Sequence, residues 1–302
     1  MRNLITGRRA RRLSRRAAVS QIAGAVAGFA MTTGAMNRSA AAGATSSSGM
    51  TTQEGTLMTS TPVPDAAPLT VVLVHGAFAD ASNWAGVIPV LQAAGLAVQA
   101  PANPLRGINH DADYIASLLN QISGPVVLVG HSYGGAVITN AGSRADNVRA
   151  LVYVGAFIPD EGETLQGLAE QATDSKVFPA LRPSQYPSGG DEPGVEFTID
   201  PVAFPDIFCP DLPAELAGIM AVSQRPLSGS AFSEVTHDPA WKSLPTWAVV
   251  SPSDVIIGPA GERLMAERAG ATITEIDASH AMMVSQPQAV ADVILAAVKA
   301  VS

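Results

Sequence analysis

Val126-Val127-Leu128-Val129-Gly130-His131-Ser132-Tyr133-Gly134-Gly135 is the stretch whose reading decides the fold. Its first four residues form an apolar, mostly β-branched run, the pattern of a strand buried on both faces. From Tyr133 to Ser143 the periodicity turns helical. The junction is a G-x-S-x-G, and a serine in that context sits on a sharp strand-to-helix turn that lifts its hydroxyl off the strand end. Such a turn strains the serine backbone and needs glycine at 130 and 134, so that neighbouring chain passes without Cβ clashes. Ser132 also stands at a helix N-terminus, where free N–H groups and the helix dipole stabilise negative charge. A phosphate-binding loop would need G-x-G-x-x-G spacing or a lysine after the glycines, and neither is present.

On either side the same alternation continues. Strand-like runs cover Leu69–Val74, Leu96–Ala100, Ala150–Val154, Thr246–Val250 and Thr272–Ile276, and helical patterns cover Trp84–Ala94, Asp111–Ile122, Ala260–Ala269 and Pro287–Val298. Strands alternating with helices of this length predict an α/β fold: a doubly wound, mostly parallel sheet of about six strands with helices on both faces. Residues 158–243 break the rhythm with many prolines and most of the aromatics (Phe178, Tyr186, Phe197, Phe204, Phe208, Phe232, Trp241), and their helical patterns are short, as at Leu212–Ser223. A structureless loop of that length does not suit a compact domain, so this stretch is expected to be an inserted cap over the sheet edge where ligands bind. Its aromatics and Met220 suggest an apolar pocket.

The 302-residue chain is 47% hydrophobic and 15% charged, enough for a large core. Its net charge of −8 hides an asymmetry, because residues 1–44 hold eight arginines and no acid, leaving 10 basic against 26 acidic side chains from residue 45 on, a net −16. A body that acidic repels phosphate backbones and anionic headgroups, which argues against nucleic-acid binding and against stable membrane association once the chain is processed. Residues 1–44 run from a basic stretch through a small, weakly apolar one to Ala42-Gly43-Ala44, the order of an export signal, and Ser14-Arg15-Arg16 carries a twin-arginine pair. Export to the periplasm or medium by that route is expected. Residues 45–68 read as a disordered Ser/Thr/Pro linker, and residues 69–302 as the folded domain. Cys209 is the only cysteine, which excludes an internal disulfide and a Cys-rich zinc site.

A serine hydroxyl needs a neighbouring base. In a site of this type the order along the chain is serine, acid, histidine. Of the five histidines, His75 and His131 belong to turns, His110 precedes Ser132, and His237 lies in the expected cap; His280, just after the last strand, is the candidate base. Asp254 follows the strand ending at Val250 and is the candidate orienting acid, with Asp160 and Glu161 as rivals after the preceding strand. The backbone N–H of Tyr133 and one N–H from the turn His75-Gly76-Ala77-Phe78 are the candidate oxyanion donors, Ala77 first and Phe78 next. His75 is expected to pack beneath that turn, with Asn83 and Trp84 supporting the loop.

At these residues the chain resembles the α/β-hydrolase superfamily, from about Leu69 to the C-terminus. The motifs HGAFADASNW, GHSYGG, the Asp254 turn and ASHAMMVSQP resemble the small-capped branch that includes plant methylesterases, hydroxynitrile lyases and bacterial esterases. The resemblance implies Ser132 as nucleophile, Asp254 as acid, His280 as base, Ala77 and Tyr133 N–H groups as the oxyanion hole, and no metal or organic cofactor. It implies a carboxylic ester hydrolase acting on a small-molecule ester through an acyl-Ser132 intermediate. A perhydrolase or lactonase on the same triad, or a ligand-binding receptor with a residual triad, are the alternative readings. The lyases of this branch carry a lysine directly after the catalytic histidine; here that residue is Ala281, and the only lysines are Lys176, Lys242 and Lys299. Ser132 stands where dehalogenases and epoxide hydrolases of this fold place an aspartate.

Overall fold

A computed structural model describes residues 67–172 and 174–302. The expected export signal and all but the last two residues of the expected linker lie outside the described residues. No helix among the described residues is long and apolar enough to cross a membrane.

The first half of the fold runs β1 (Thr70–Val74), α1 (Val87–Ala93), β2 (Ala97–Gln99), α2 (Ile108–Leu119), β3 (Val126–His131), α3 (Tyr133–Ala141) and β4 (Val148–Val154). There follow α4 (Leu165–Gln171), α5 (Val177–Ala180), β5 (Leu181–Tyr186), β6 (Gly194–Ile199), α6 (Phe204–Phe208), α7 (Ala214–Val222), β7 (Leu227–Ser228) and α8 (Ser230–Ser233). The chain ends with β8 (Thr246–Val250), α9 (Pro259–Arg268), β9 (Thr272–Glu275), α10 (Met282–Ser285) and α11 (Pro287–Val301). Six strands form one sheet in the order β2-β1-β3-β4-β8-β9, and every pairing in it is parallel.

Successive strand residues feed two cores. Val72, Val74, Leu128, Leu151 and Tyr153 pack with Ile115, Leu119, Ile138 and Met265 from α2, α3 and α9. Val71, Leu73, Val127, Val129 and Val152 pack on the opposite face with Val87, Leu91, Ile294 and Ala297 from α1 and α11. Because both faces are covered, the central strands carry apolar runs without alternation, and each fully buried aliphatic side chain contributes about 1.5–3 kcal/mol of burial free energy.

Three expectations shift in detail. The helix expected over Trp84–Ala94 is a 3-10 turn at Ala81–Trp84, capped by the Asp80 carboxylate accepting from Ser82 N at 2.8 Å, followed by α1. Pro89 explains the split, since a helix begun at Trp84 would put a residue without an N–H in its interior, whereas starting at Val87 puts it in the first turn. Helix α2 starts at Ile108, before the expected Asp111, straight after Gly107 turns the chain at φ 142°. Within 158–243 the sequence showed short helices, but the structure also contains an antiparallel sheet in the order β5-β6-β7. Pro183 in β5 obscures the pattern; it is tolerated because β5 is an edge strand.

The turn after β3 brings backbone segments into very close approach. Ser132 has φ 53° and ψ −123°, outside the regions an L-residue favours. A Cβ on Gly130 would lie 2.6 Å from Gly134 O, and one on Gly134 would lie 2.5 Å from Val74 O. Gly218, in the middle of α7, has open space around its Cβ position. We expect Gly130→Ala to destabilise the protein by about 1–3 kcal/mol, the cost of forcing backbone apart. Gly218→Ala should stabilise it by about 0.5–1 kcal/mol, because only the helix propensity changes. Urea denaturation of both variants checks this, and equal midpoints would show that the turn relaxes freely.

Candidate active site

Ser132, Asp254 and His280 stand at the C-terminal ends of β3, β8 and β9, with β4 between β3 and β8. All three are buried. His280 Nδ1 lies 2.5 Å from Asp254 Oδ2, and Asp254 Oδ1 accepts from Ile256 N at 2.7 Å and Ile257 N at 3.3 Å. Burial pushes the Asp254 carboxyl up, but His280, Glu262 and the Ile256 N–H outweigh it and hold the group below its ordinary value. The other imidazole nitrogen, His280 Nε2, is buried with no hydrogen-bond partner.

The loop carrying His280 is held from below and above. His131 donates from Nε2 to His280 O at 3.0 Å, and the two rings lie 4.6 Å apart, so the residue preceding Ser132 touches the imidazole. Burial first, and then the neighbouring His280, keep His131 far below its ordinary value and therefore neutral. From the other side the Phe208 ring stands edge-on to His280 at 4.9 Å. Phe208 O accepts from Ala281 N at 3.2 Å, and the Asp211 carboxylate accepts from Ser279 N at 2.9 Å.

On the turn after β1, Phe78 N–H donates to Arg225 O at 3.1 Å, so its hydrogen is already engaged. His75 packs beneath this turn: Nδ1 donates to Gly76 O at 2.9 Å, while Nε2 accepts from Asn103 N at 2.9 Å and faces Arg225 Nη1 at 3.3 Å. Burial lowers its pKa, and with both nitrogens occupied it has none to offer a reaction. Asn83 and Trp84 are buried in the adjoining loop. Tyr133, first residue of α3, donates its phenol to the buried Asp111 carboxylate at 2.8 Å; burial and Asp111 push that phenol up, so it stays protonated.

The rivals fall elsewhere. Asp160 pairs with Lys242 at 2.6 Å, and Glu161 faces the exposed His237 at 3.6 Å. His110 is exposed and pairs with Asp111 at 3.0 Å. Sequence reasoning missed Glu262, which is buried beside Asp254, because an acid in the first turn of a helix reads as a favourable dipole partner. It also missed Phe208, Asp211 and Arg225, which no motif marks.

Asp254, Glu262 and His280 offer ligand atoms within 4.8 Å of one another, the one such cluster among the described residues. Ligands about 2.0–2.1 Å from a tetrahedral metal lie roughly 3.3 Å apart. The 2.5 Å between His280 Nδ1 and Asp254 Oδ2 is a hydrogen-bond separation and would have to open to admit an ion.

Beside Ser132 lies a cavity of about 40 Å³, walled by Ala77, Phe78, Tyr133 and Phe157 from the sheet side and by residues such as Phe178 and Phe232 from the 158–243 insertion. The other aromatics of that insertion do different work: Phe197 packs on Phe232, Phe204 stacks on Phe208, Tyr186 lies under Arg106, and Trp241 donates to Pro159 O. Met220 packs against the core away from this cavity.

The sequence model of the alpha/beta hydrolase family matches residues 71–293. The chain belongs to the alpha/beta hydrolase family. A carbendazim-hydrolysing esterase from a Nocardioides species is 35% identical over 119 residues, a match that spans 35% of this chain and 49% of that one. A pyrethroid hydrolase from Sphingobium wenxiniae is 26% identical over 74% of this chain and 85% of its own, and Arabidopsis thaliana methylesterases also match. The crystal structure of polyneuridine aldehyde esterase has the same fold, with a TM-score of 0.66, 23% identity, and coverage of 76% of this chain and 98% of that one.

For this alpha/beta hydrolase, Tyr133→Phe should cost about 1–3 kcal/mol of stability, because it removes a donor from the fully buried Asp111 carboxylate. It leaves the Tyr133 backbone N–H in place. Urea denaturation reads the loss, and an unchanged midpoint would show that another donor replaces the phenol.

Proposed function

We propose that the chain is a carboxylic ester hydrolase that works through an acyl-Ser132 intermediate on a small to medium apolar ester. The observation that carries this reading is the 2.5 Å Asp254–His280 pair, whose outer nitrogen is unpartnered and whose ring touches His131, the residue before a serine on a strained turn. Asp254 fixes Nδ1 as the protonated nitrogen, so Nε2 is the acceptor that takes the Ser132 proton as Oγ attacks the ester carbonyl. The imidazolium so formed is stabilised by the Asp254 carboxylate and returns its proton to the leaving alcohol. The carbonyl oxygen, now an oxyanion, is met by the N–H groups of Ala77 and Tyr133, the latter at the N-terminus of α3. Water activated by the same Nε2 then releases the acid. Relatives named as esterases and as a pyrethroid hydrolase support the reaction class. The apolar lining of the cavity supports an uncharged acyl or aryl group, since a charge there would lose its water without a partner. Export by the twin-arginine route is part of the proposal and rests on residues 1–44 of the sequence.

Ser132→Ala should lower kcat by on the order of 10⁶-fold, and Asp254→Asn by on the order of 10⁴-fold because an amide cannot hold the imidazole tautomer. A series of p-nitrophenyl esters of increasing chain length reads both. Ser132→Ala within about tenfold of wild type would place the chemistry elsewhere. Mandelonitrile should not be cleaved above background, because Ala281 follows His280 and no lysine ammonium is there to meet departing cyanide. Saturable cyanide release, lost in Ser132→Ala, would overturn the assignment.

A further inference from the structure

Glu262 sits in the first turn of α9 and is 1% exposed. One of its oxygens, Oε2, accepts from Ser251 N at 3.0 Å. The other, Oε1, is buried with no hydrogen-bond partner, and the carboxyl sits against the Asp254 carboxylate, their oxygens within 4.8 Å. Two carboxylates in such contact share a proton, because two adjacent buried anions repel and have nothing between them to bridge. Asp254 already receives three donors, from Ile256, Ile257 and His280, all of which favour its charged form. The proton therefore belongs on Glu262.

We propose that Glu262 is a positioning residue of the catalytic apparatus: a neutral carboxylic acid that donates its proton to Asp254, fixes that carboxylate against His280 Nδ1, and disperses its charge. The inference rests on the triad reading above and places a supporting residue behind its acid. Charged and titratable groups facing Glu262 are Asp254, Asp174 and, across Asp254, His280, with His131 behind that ring. Both aspartates oppose a second negative charge. No lysine or arginine forms an ion pair with Glu262 among the described residues. Burial, and after it the Asp254 charge, accordingly push the Glu262 carboxyl well above its ordinary value.

Two measurements test this on the full chain. The first needs no activity. An acid whose pKa is raised by folding keeps its proton in the native state after the unfolded chain has lost it, so the native state is penalised as pH rises above the ordinary glutamate value of about 4.3 and up to the raised one. Glu262→Gln keeps a donor and the shape but has no proton to lose. Relative to that variant, the unfolding equilibrium constant of wild type should grow about tenfold per pH unit across this window. Curves that run parallel in urea titrations from pH 5 to 8 would overturn the protonated state.

The second measurement reads position. Glu262→Gln should keep kcat within about threefold and leave the acid limb of the kcat/KM profile where it is, because the amide still donates to Asp254. Glu262→Leu should lower kcat by about 10- to 100-fold at unchanged KM. It should also move the acid limb to higher pH, since an undispersed Asp254 charge favours the protonated imidazole. A leucine variant whose rate falls without movement of the acid limb would assign Glu262 to the scaffold alone and overturn the proposal. A downward shift in the glutamine variant would mean that Glu262 is an anion, and would overturn it too. If the wild type hydrolyses no ester, the reaction assignment fails, while the denaturation arm still decides where the proton resides.

Discussion

Everything in this site depends on one backbone constraint, the left-handed conformation of Ser132 between β3 and α3. It is stable only because the backbone around it comes closer than any side chain would permit: Gly130 against Gly134, and Gly134 against the end of β1. The consequence is geometric. A strand buried on both faces cannot expose a side chain to a ligand along its length, so chemistry has to be placed where the strand stops and before the helix closes over it. The strain at Ser132 is over-determined by neighbours, with its own N–H donating to Val154 O at 3.3 Å and its carbonyl accepting from Phe157 N at 3.1 Å. The rigid sheet thus fixes the serine, and the mobile part of the problem is passed to the loops that bring the other groups to it.

Those loops are held by the 158–243 insertion. The stretch from Phe208 to Asp211 grips the His280 loop through a ring contact and two hydrogen bonds. Arg225 engages the turn after β1 twice, once through its carbonyl and once through its guanidinium. The insertion is therefore more than a lid on a cavity. It braces both the histidine loop and the turn that carries Ala77, so its folding and the assembly of the site are coupled. Asp211 shows the electrostatic side of this coupling: burial opposes its ionisation, yet hydrogen bonds from Ser279 hold its carboxyl below the ordinary value. A carboxyl lowered in the native state contributes stability above its unfolded pKa, and that contribution is lost as pH falls through the lowered one, which loosens the loop in acid.

The central sheet was legible because continuous β-branched runs have few other uses, and all six expected strands appear within a residue or two of their expected ends. The candidate serine, acid and histidine stood out in the sequence because each follows a strand end in a fixed order. Chain order alone did not choose between Asp254 and Asp160 or Glu161; in the structure the last two are engaged in surface pairs, while Asp254 meets His280. What stayed hidden was whatever depends on contacts between distant segments. The β5-β6-β7 sheet is masked by Pro183 and by polar residues on an exposed edge. Phe208, Asp211 and Arg225 act on distant segments through a ring edge, a carboxylate, a guanidinium and main-chain carbonyls, contacts that leave no periodicity. Glu262 looks in sequence like any acid at the start of a helix, and only its burial beside Asp254 distinguishes it.

The cavity beside Ser132 is small, about 40 Å³, and its walls are of two kinds. The sheet-side walls are fixed by the strained turn and by α3, whereas Leu165, Phe178 and Phe232 belong to the insertion. Phe157 is a wall of a different kind, because its other side borders a second cavity of about 110 Å³ lined by Leu168, Ile257, Leu264 and Met265. Its backbone N–H donates to Ser132 O at 3.1 Å, which ties its main chain to the strained turn. Packing in the insertion and at Phe157 thus shapes the space beside Ser132 while the sheet holds the serine, and because the insertion also braces the His280 loop the two do not vary independently.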